Sequence, residues 1–313
     1  MEHTATAPAP VTGPGAGPVS ADPAGAASTV IAVARWMRRV AGVVPFAVYL
    51  ALGMLIPMIA VIVGAFQSPS GGFTLSNVKA ATHGVYLHGY WETILLSIWA
   101  SVLPAIFGLM IAYAIFTAKR ASVLRQLVIT TSGVFANFGG VPLAFLFIAS
   151  LGSGGLITGW IQDVVPNSWD GSQLYTLSGV VLVYMYFQIP LMVLIILPGL
   201  EGLRASWREA AGNLGASTFQ YWRYVGGPVL LPTFMGCLLL LFGSSLSAYA
   251  TAEAMTSGTI PLTSIQIGTF INGNVLAGQV NVGKALSLGL VLIIAVAMVI
   301  YVILQRRASR WLS

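Results

Sequence analysis

Long intervals without charged residues constrain this chain more than any other feature of its sequence. Charged residues make up only 7% of the 313 residues and hydrophobic residues 57%, and the mean hydropathy is +0.87. A soluble globule of that composition would expose apolar surface that it could not bury. Six charge-free intervals each hold at least ~20 residues, enough for a helix to cross ~30 Å of hydrocarbon. The sequence predicts an all-α membrane protein with six transmembrane helices, at about residues 43–66, 93–117, 127–151, 174–197, 229–250 and 285–304.

A seventh charge-free stretch, residues 254–283, is predicted to lie outside the membrane. Gly, Ser, Thr, Asn and Gln interrupt each of its apolar runs, and polar groups at that density are costly against lipid. We expect an outer loop with room for a short interfacial helix.

The basic residues predict the orientation of the six helices. With a cytoplasmic N-terminus, twelve of the fourteen basic residues fall on the inner side, and only Lys79 and Lys284 fall on the outer side. This asymmetry is the one that the positive-inside rule predicts. A seventh span would weaken it, because the last three basic residues would then lie outside. We therefore predict a multi-pass protein of the cytoplasmic membrane with both termini in the cytoplasm. The net charge of +6 follows from this topology and requires no nucleic-acid partner.

The chain divides into three segments. Residues 1–34 are predicted to be a disordered cytoplasmic tail, because Ala, Pro, Gly, Ser and Thr dominate its first part and leave almost nothing to bury. Residues 35–90 hold the first transmembrane helix and an outer loop. Residues 91–313 hold the other five transmembrane helices.

The stretch SWREAAGNLGAS, residues 206–217, is unusually polar and rich in small residues for this chain. Ser206 and Glu209 have the spacing of a capping box, which predicts that a helix begins there. Gly215 suits the left-handed residue that ends a helix. Ser217 or Thr218 is expected to cap a second short helix that leads into the fifth span. The cytoplasmic loop between spans four and five is thus predicted to be a helix, a sharp turn and another helix.

These residues resemble the loop motif of the membrane subunits of binding-protein-dependent ABC importers. That motif reads Glu-Ala-Ala, three residues, Gly, nine residues, an aliphatic residue, one more residue and Leu-Pro. Here Glu209 begins the motif, Gly215 and Val225 match it, and Pro228 ends it, while Gly227 replaces the leucine. The resemblance covers about residues 90–305 and is most similar to the type I permeases for the polyamines spermidine and putrescine.

The resemblance implies that the loop is a coupling helix seated on a cytoplasmic ABC ATPase dimer. Small residues would let the partner approach the helix backbone, and a carboxylate would meet a basic residue of the partner. The alternative is a connector in which the glutamate only caps the helix. The expected coupling residues are Arg208, Glu209, Ala210, Ala211, Leu214 and Gly215.

The same resemblance implies the rest of the assembly. A second permease subunit, homologous or identical, would complete the path through the lipid bilayer, and an extracytoplasmic solute-binding protein would deliver a small polar solute. ATP and Mg would be bound by the ATPase, with no cofactor and no metal on this chain. This chain has no phosphate-binding loop of its own.

A path through hydrocarbon requires polar or aromatic side chains that face inward. The alternative for each such residue is close helix packing. Ser245, Tyr249 and Glu253 would share one helix face. The candidates are Asn137, Tyr184, Gln188, Ser245, Tyr249 and Glu253.

Enzymatic chemistry finds little support in the sequence. No acidic residue lies deep in a predicted span, and the three histidines all lie outside the spans, so general acid–base pairs and metal clusters lack their parts. A metal site at His83 and His88 is a weaker alternative to an ordinary polar loop. Two other classes of protein stay open. One is a self-sufficient secondary carrier, which would normally hold a buried ionisable group. The other is a membrane scaffold.

Overall fold

The computed structural model describes residues 23–118, 122–166, 168–273 and 279–309. The chain forms two compact units, residues 1–58 and residues 59–313. The described part of the first unit is helical, and its side chains from Val43 to Met58 are all exposed. The predicted tail falls mainly on residues 1–22, which lie outside the described residues. Helix α1 nevertheless begins at Pro23, within the predicted tail, because proline suits a first helical turn and the alanines after it favour a helix.

The described chain is helical throughout, apart from turns, loops and one isolated bridge between Gln67 and Phe73. Two non-α segments are a 3-10 turn at Ser172–Tyr175 and a π-helical turn at Trp222–Gly226. The α-helices are α1 (Pro23–Ala65), α2 (Ser76–Ala81), α3 (Gly84–Thr117), α4 (Ser122–Asn137), α5 (Gly140–Leu151), α6 (Leu156–Val164), α7 (Leu177–Glu201), α8 (Ala205–Asn213), α9 (Thr218–Tyr221), α10 (Gly227–Ser247), α11 (Tyr249–Thr256), α12 (Thr263–Ile271) and α13 (Val280–Ser309).

Six helical stretches among the described residues are long and apolar enough to cross a membrane, as predicted. Several extend beyond their predicted ends. The stretches are Val43–Ala65, Gly84–Thr117, Gly140–Val164, Leu177–Glu201, Thr218–Ser247 and Val280–Arg306.

The third crossing is not the continuous helix predicted at 127–151. It is divided between α4 and α5, which meet at Phe138 and Gly139. Gly140 adopts φ +76, a left-handed conformation that glycine reaches without strain. Its amide donates to Thr251 Oγ1 at 2.9 Å, so a group outside the third span satisfies the broken helix end. The stretch Gly140–Val164 is itself interrupted by a loop at 152–155, and we assign the crossing to α4 and α5.

The bundle is built around α3 and α7, which pack closely because small residues line the contact. A Cβ on Gly108 would lie 2.6 Å from the Met192 Cβ, so only glycine permits this approach. Toward the α8 end lies the Leu200 cluster of buried residues from α3, α7, α10 and the adjoining segment. Its members include Ala105, Ala112, Ile115, Met192, Ile196, Leu200, Leu203, Leu230, Cys237 and Leu241.

At the opposite end, α12 packs against the start of α3. The Thr263 amide donates to Thr93 Oγ1 at 2.8 Å, and Gln266 Nε2 donates to the Val85 carbonyl at 3.2 Å. The segment predicted as a loop with a short helix, residues 254–283, thus contains the end of α11 and all of α12. Residues 274–278 of that segment lie outside the described residues.

Candidate functional site

Helix α8 begins one residue before the predicted cap. Arg204 occupies the N-cap position with extended backbone (φ −67, ψ 130), and no side chain caps the helix. The predicted Ser206–Glu209 capping box is therefore wrong, because Ser206 already lies within the first turn. As a consequence, the Glu209 carboxylate is not used in a cap.

The end of α8 is a Schellman motif centred on Gly215. The Ala216 amide donates to the Ala211 carbonyl at 3.0 Å, and the Gly215 amide donates to the Gly212 carbonyl at 2.9 Å. Gly215 has φ +75, which confirms the predicted left-handed turn.

Ser217 then caps α9, as one of the two predicted alternatives. Its hydroxyl accepts from the Gln220 amide at 3.2 Å, while Gln220 Oε1 accepts from the Ser217 amide at 2.7 Å. This reciprocal pair is a capping box, which satisfies two amides that the helix itself leaves unpaired. The predicted order of helix, sharp turn and helix is confirmed.

The α8 loop is anchored on one side and exposed on the other. Leu203 belongs to the Leu200 cluster, Trp207 and Trp222 pack against it, and Tyr221 is also buried. In contrast, no residue of α8 itself is fully buried. Leu214 is 88% exposed and Phe219 is 73% exposed. We call the outward group Arg208, Glu209, Ala210, Leu214 and Phe219 the α8 surface.

The structure brings the six predicted coupling residues together on α8 and its terminal turn. Ala211 is half-buried, and the other five are exposed. Within the described residues the two ion pairs are Arg125–Glu201 and His88–Glu92, so neither Arg208 nor Glu209 is engaged in one. Both side chains are exposed to solvent.

Three predicted path residues are buried inside the chain instead of lining open space. Gln188 Nε2 donates to Ser245 Oγ, and the Ser245 hydroxyl bonds to the Leu241 carbonyl at 3.0 Å. The Tyr184 hydroxyl donates to the Ala248 carbonyl. Tyr184 and Gln188 are 0% exposed. These bonds join α7 to α10 and its end, so in this conformation the three residues hold helices together.

The other three predicted path residues lie apart from that group. Asn137 is exposed at the end of α4, where its Nδ2 donates to the Gly133 carbonyl at 2.8 Å. The Tyr249 ring lies against Gly268 of α12. The predicted face shared by Ser245, Tyr249 and Glu253 is wrong, because the helix breaks at Ala248 (ψ 87). Glu253 Oε2 is buried in α11 without a hydrogen-bond partner among the described residues.

His83 and His88 make separate contacts. His83 Nδ1 lies 2.6 Å from the Lys79 carbonyl oxygen, and His88 Nε2 lies 3.4 Å from Glu92 Oε1. Among the described residues no group of three or more His, Cys, Asp and Glu side chains could hold a metal.

Sequence reasoning missed a contact that ties the end of α7 to the third crossing. Arg125, near the start of α4, forms an ion pair with Glu201 at the end of α7. The two residues are far apart in sequence and neither belongs to a local motif, so only the packing of α4 on α7 reveals the pair.

A family model described as "Binding-protein-dependent transport system inner membrane component" matches residues 105–313. The chain belongs to this family. It is therefore a permease subunit of a binding-protein-dependent ABC importer, which confirms the general resemblance of the loop motif.

Curated relatives of this permease include transporters of two kinds of solute. A probable sulfate transport system permease protein of Nephroselmis olivacea is 27% identical over 212 residues, which cover 66% of this chain and 70% of that protein. The sulfate transport system permease protein CysW of Synechocystis sp. is 25% identical over 265 residues, 83% of this chain and 90% of that protein. The thiamine transport system permease protein ThiP of Haemophilus influenzae is 28% identical over 149 residues, 46% of this chain and 27% of that protein. These relatives give no support to the predicted likeness to polyamine permeases.

The fold has a solved counterpart. A bacterial ABC transporter involved in the import of the acidic polysaccharide alginate superposes with a TM-score of 0.71 over 90% of this chain and 99% of that chain, at 15% identity. This likeness confirms the helical architecture of the permease.

Proposed function

We propose that this permease forms a translocation path with a second permease subunit, and that its α8 surface couples the path to a cytoplasmic ABC ATPase dimer. The observation that carries the proposal is the exposed α8 surface on a loop whose other side is anchored in the bundle. ATP and Mg belong to the ATPase in this assembly, and a solute-binding protein delivers the solute at the other end.

The exposed groups of the α8 surface suit a protein partner. Leu214 and Phe219 present apolar area to water, and its burial would contribute about 25 cal/mol per Å². Ala210 leaves the helix backbone open to close approach. Glu209 supplies a carboxylate for a charge-assisted hydrogen bond. Because Leu203 and Trp207 fix the loop to the bundle, a force on α8 would be transmitted to α7 and α10.

The double variant Glu209→Ala, Gly215→Leu tests the coupling proposal. Leucine at 215 must adopt a left-handed conformation, which costs about 1–2 kcal/mol locally, and it adds a branched side chain to the contact surface. A Cβ at 215 would meet nothing within 4 Å, so the bundle should stay folded. We expect loss of ATPase co-purification, or retained ATPase without stimulation of ATP hydrolysis by the loaded binding protein.

Gly273→Leu provides the matched control. Gly273 has φ +74, its Cβ position is equally open, and it follows the nine-residue helix α12 at the opposite end of the bundle. The strain is therefore similar, but the α8 surface is intact, and coupling should persist. If the Glu209→Ala, Gly215→Leu variant binds the ATPase normally and shows normal stimulation of ATP hydrolysis, the loop is only a connector. That result would also favour a self-sufficient carrier, whose uptake would not depend on α8.

For the substrate we propose a small polar solute presented by the binding protein. The sulfate and thiamine permeases among the relatives support a solute of this class. The polyamine assignment has no such support, and we do not retain it.

A further inference from the structure

An apolar groove lies beside the loop that leads from α8 to α10. Its volume is about 470 Å³, and its walls come from α3, α7, α10 and the π-helical turn. Met110 is 61% exposed and Leu231 is 45% exposed, so the groove opens to the side of the bundle, where hydrocarbon lies. The residues that carry the argument are Leu109, Met110, Tyr113, Trp222, Leu231 and Phe234.

The π-helical turn shapes one end of this groove. A Cβ on Gly226 would lie 2.8 Å from the Trp222 ring, and a Cβ on Gly227 would lie 2.5 Å from the Trp222 carbonyl oxygen. A side chain at 226 would therefore meet the indole, and one at 227 would meet the Trp222 backbone. Tyr113 then holds the indole from α3 by an edge contact, with ring centroids 5.3 Å apart. The wall is therefore preformed and does not depend on a partner.

The groups around the groove favour an amphipathic anion. Arg223 follows Trp222 directly, is exposed, and lies with its guanidinium 5.7 Å from the Tyr224 ring centroid. Within the described residues no carboxylate pairs with Arg223. Aromatic and basic residues at the end of a membrane span are typical of the level of lipid headgroups.

We propose that this groove binds an anionic phospholipid, with an acyl chain along α3 and α10 and its phosphate at Arg223. The site commits to lipid because its walls are apolar, it opens sideways within the span, and the exposed Arg223 directly follows the lining residue Trp222. A bound lipid would contact Trp222 and would link the surrounding leaflet to the segment through which α8 joins α10.

Brominated lipids test the site, because bromine quenches the fluorescence of a nearby indole. The full chain, in the importer complex with which it purifies, is placed in nanodiscs of phosphatidylcholine with increasing dibromo-phosphatidylglycerol or dibromo-phosphatidylcholine. The signal of Trp222 is the difference between the parent and Trp222→Phe. We expect half-maximal quenching at about fivefold lower content of the anionic lipid, since one basic residue near the membrane surface contributes about 1 kcal/mol.

Two pairs of variants separate the effect of the Arg223 charge on lipid binding from the effect of the groove's width. Arg223→Gln should abolish the preference for the anionic lipid, while Lys79→Gln, on α2 at the other end of α3, should keep it. Leu231→Phe should narrow the groove and weaken quenching by both lipids. Leu240→Phe, on the same helix, 51% exposed and outside the groove, should not.

Equal quenching by the two lipids in the parent would overturn the headgroup assignment. Absence of any quenching of Trp222 would show that protein, such as a second permease subunit or the N-terminal residues, covers the groove, and would overturn the site. Both results are independent of whether α8 couples to an ATPase.

Discussion

Glu253 is the most informative of the residues predicted to line the path. Its Oε2 is buried without a hydrogen-bond partner among the described residues, and a carboxylate oxygen in that position costs free energy unless another group satisfies it. Burial of this kind is common at functional sites. A solute or a group of another subunit at the mouth of the path could supply the missing donor.

Glu253→Gln is expected to change uptake without loss of assembly. The substitution preserves shape and removes the charge, so the solute concentration for half-maximal uptake should shift by about tenfold, the equivalent of about 1.4 kcal/mol. Uptake into vesicles measures this shift. Glu92→Gln is the control, because Glu92 already has His88 as a neighbour at 3.4 Å. Parent-like uptake by Glu253→Gln at all solute concentrations would exclude Glu253 from the path.

At the level of elements, the break between α4 and α5 depends on one of two adjacent glycines. Gly140 has φ +76, whereas Gly139 has φ −130, and a Cβ at either position would meet no atom closer than 3.9 Å. The difference between them is therefore backbone conformation alone. Thr251 Oγ1 accepts a hydrogen bond from the Gly140 amide. The break therefore also links the third crossing to α11.

Gly140→Ala should lower the free energy of unfolding by about 1–2 kcal/mol, the cost of a left-handed residue with a Cβ. Gly139→Ala should change it by much less, because extended backbone suits alanine. Thermal or denaturant unfolding of the detergent-purified permease measures both. Equal destabilisation by the two substitutions would mean that the break does not rely on left-handed backbone at 140.

Sequence reasoning succeeded where a local signal was sufficient. The apolar intervals gave six crossings, and Gly215 and Ser217 gave the turn and the second cap. It failed at Ser206, because a capping-box spacing does not reveal that α8 starts one residue earlier. The prediction that Ser245 and Tyr249 share a helix face also failed, because no glycine or proline in the sequence marks the helix break at Ala248. The Gln188–Ser245 bond, the Arg125–Glu201 pair and the Trp222 groove arise from packing between distant segments, which one sequence does not encode locally.

The basic residues predict the orientation of the whole molecule in the membrane, and cysteine labelling can test this prediction. The chain has a single cysteine, Cys237, which is buried and should not react with an impermeant maleimide. In intact cells Ser70→Cys, in an exposed turn after α1, should be labelled. Ser313→Cys should be labelled only after the membrane is opened, because both termini are predicted to be cytoplasmic. Labelling of Ser313→Cys from outside would invalidate this orientation.

The π-helical turn also sets the rotational phase of the span that follows it. A π turn closes its hydrogen bonds to the fifth residue instead of the fourth, so Trp222–Gly226 holds one residue more than an α-helical turn would. Each residue of an α-helix advances side chains by about 100°. In a π-helix each residue advances by less than this, so the five residues here turn the chain about as far as four would in an α-helix, and α10 keeps the rotation that places Ser245 beside Gln188. The π turn therefore absorbs one extra residue between α9 and the fifth span without rotating that span.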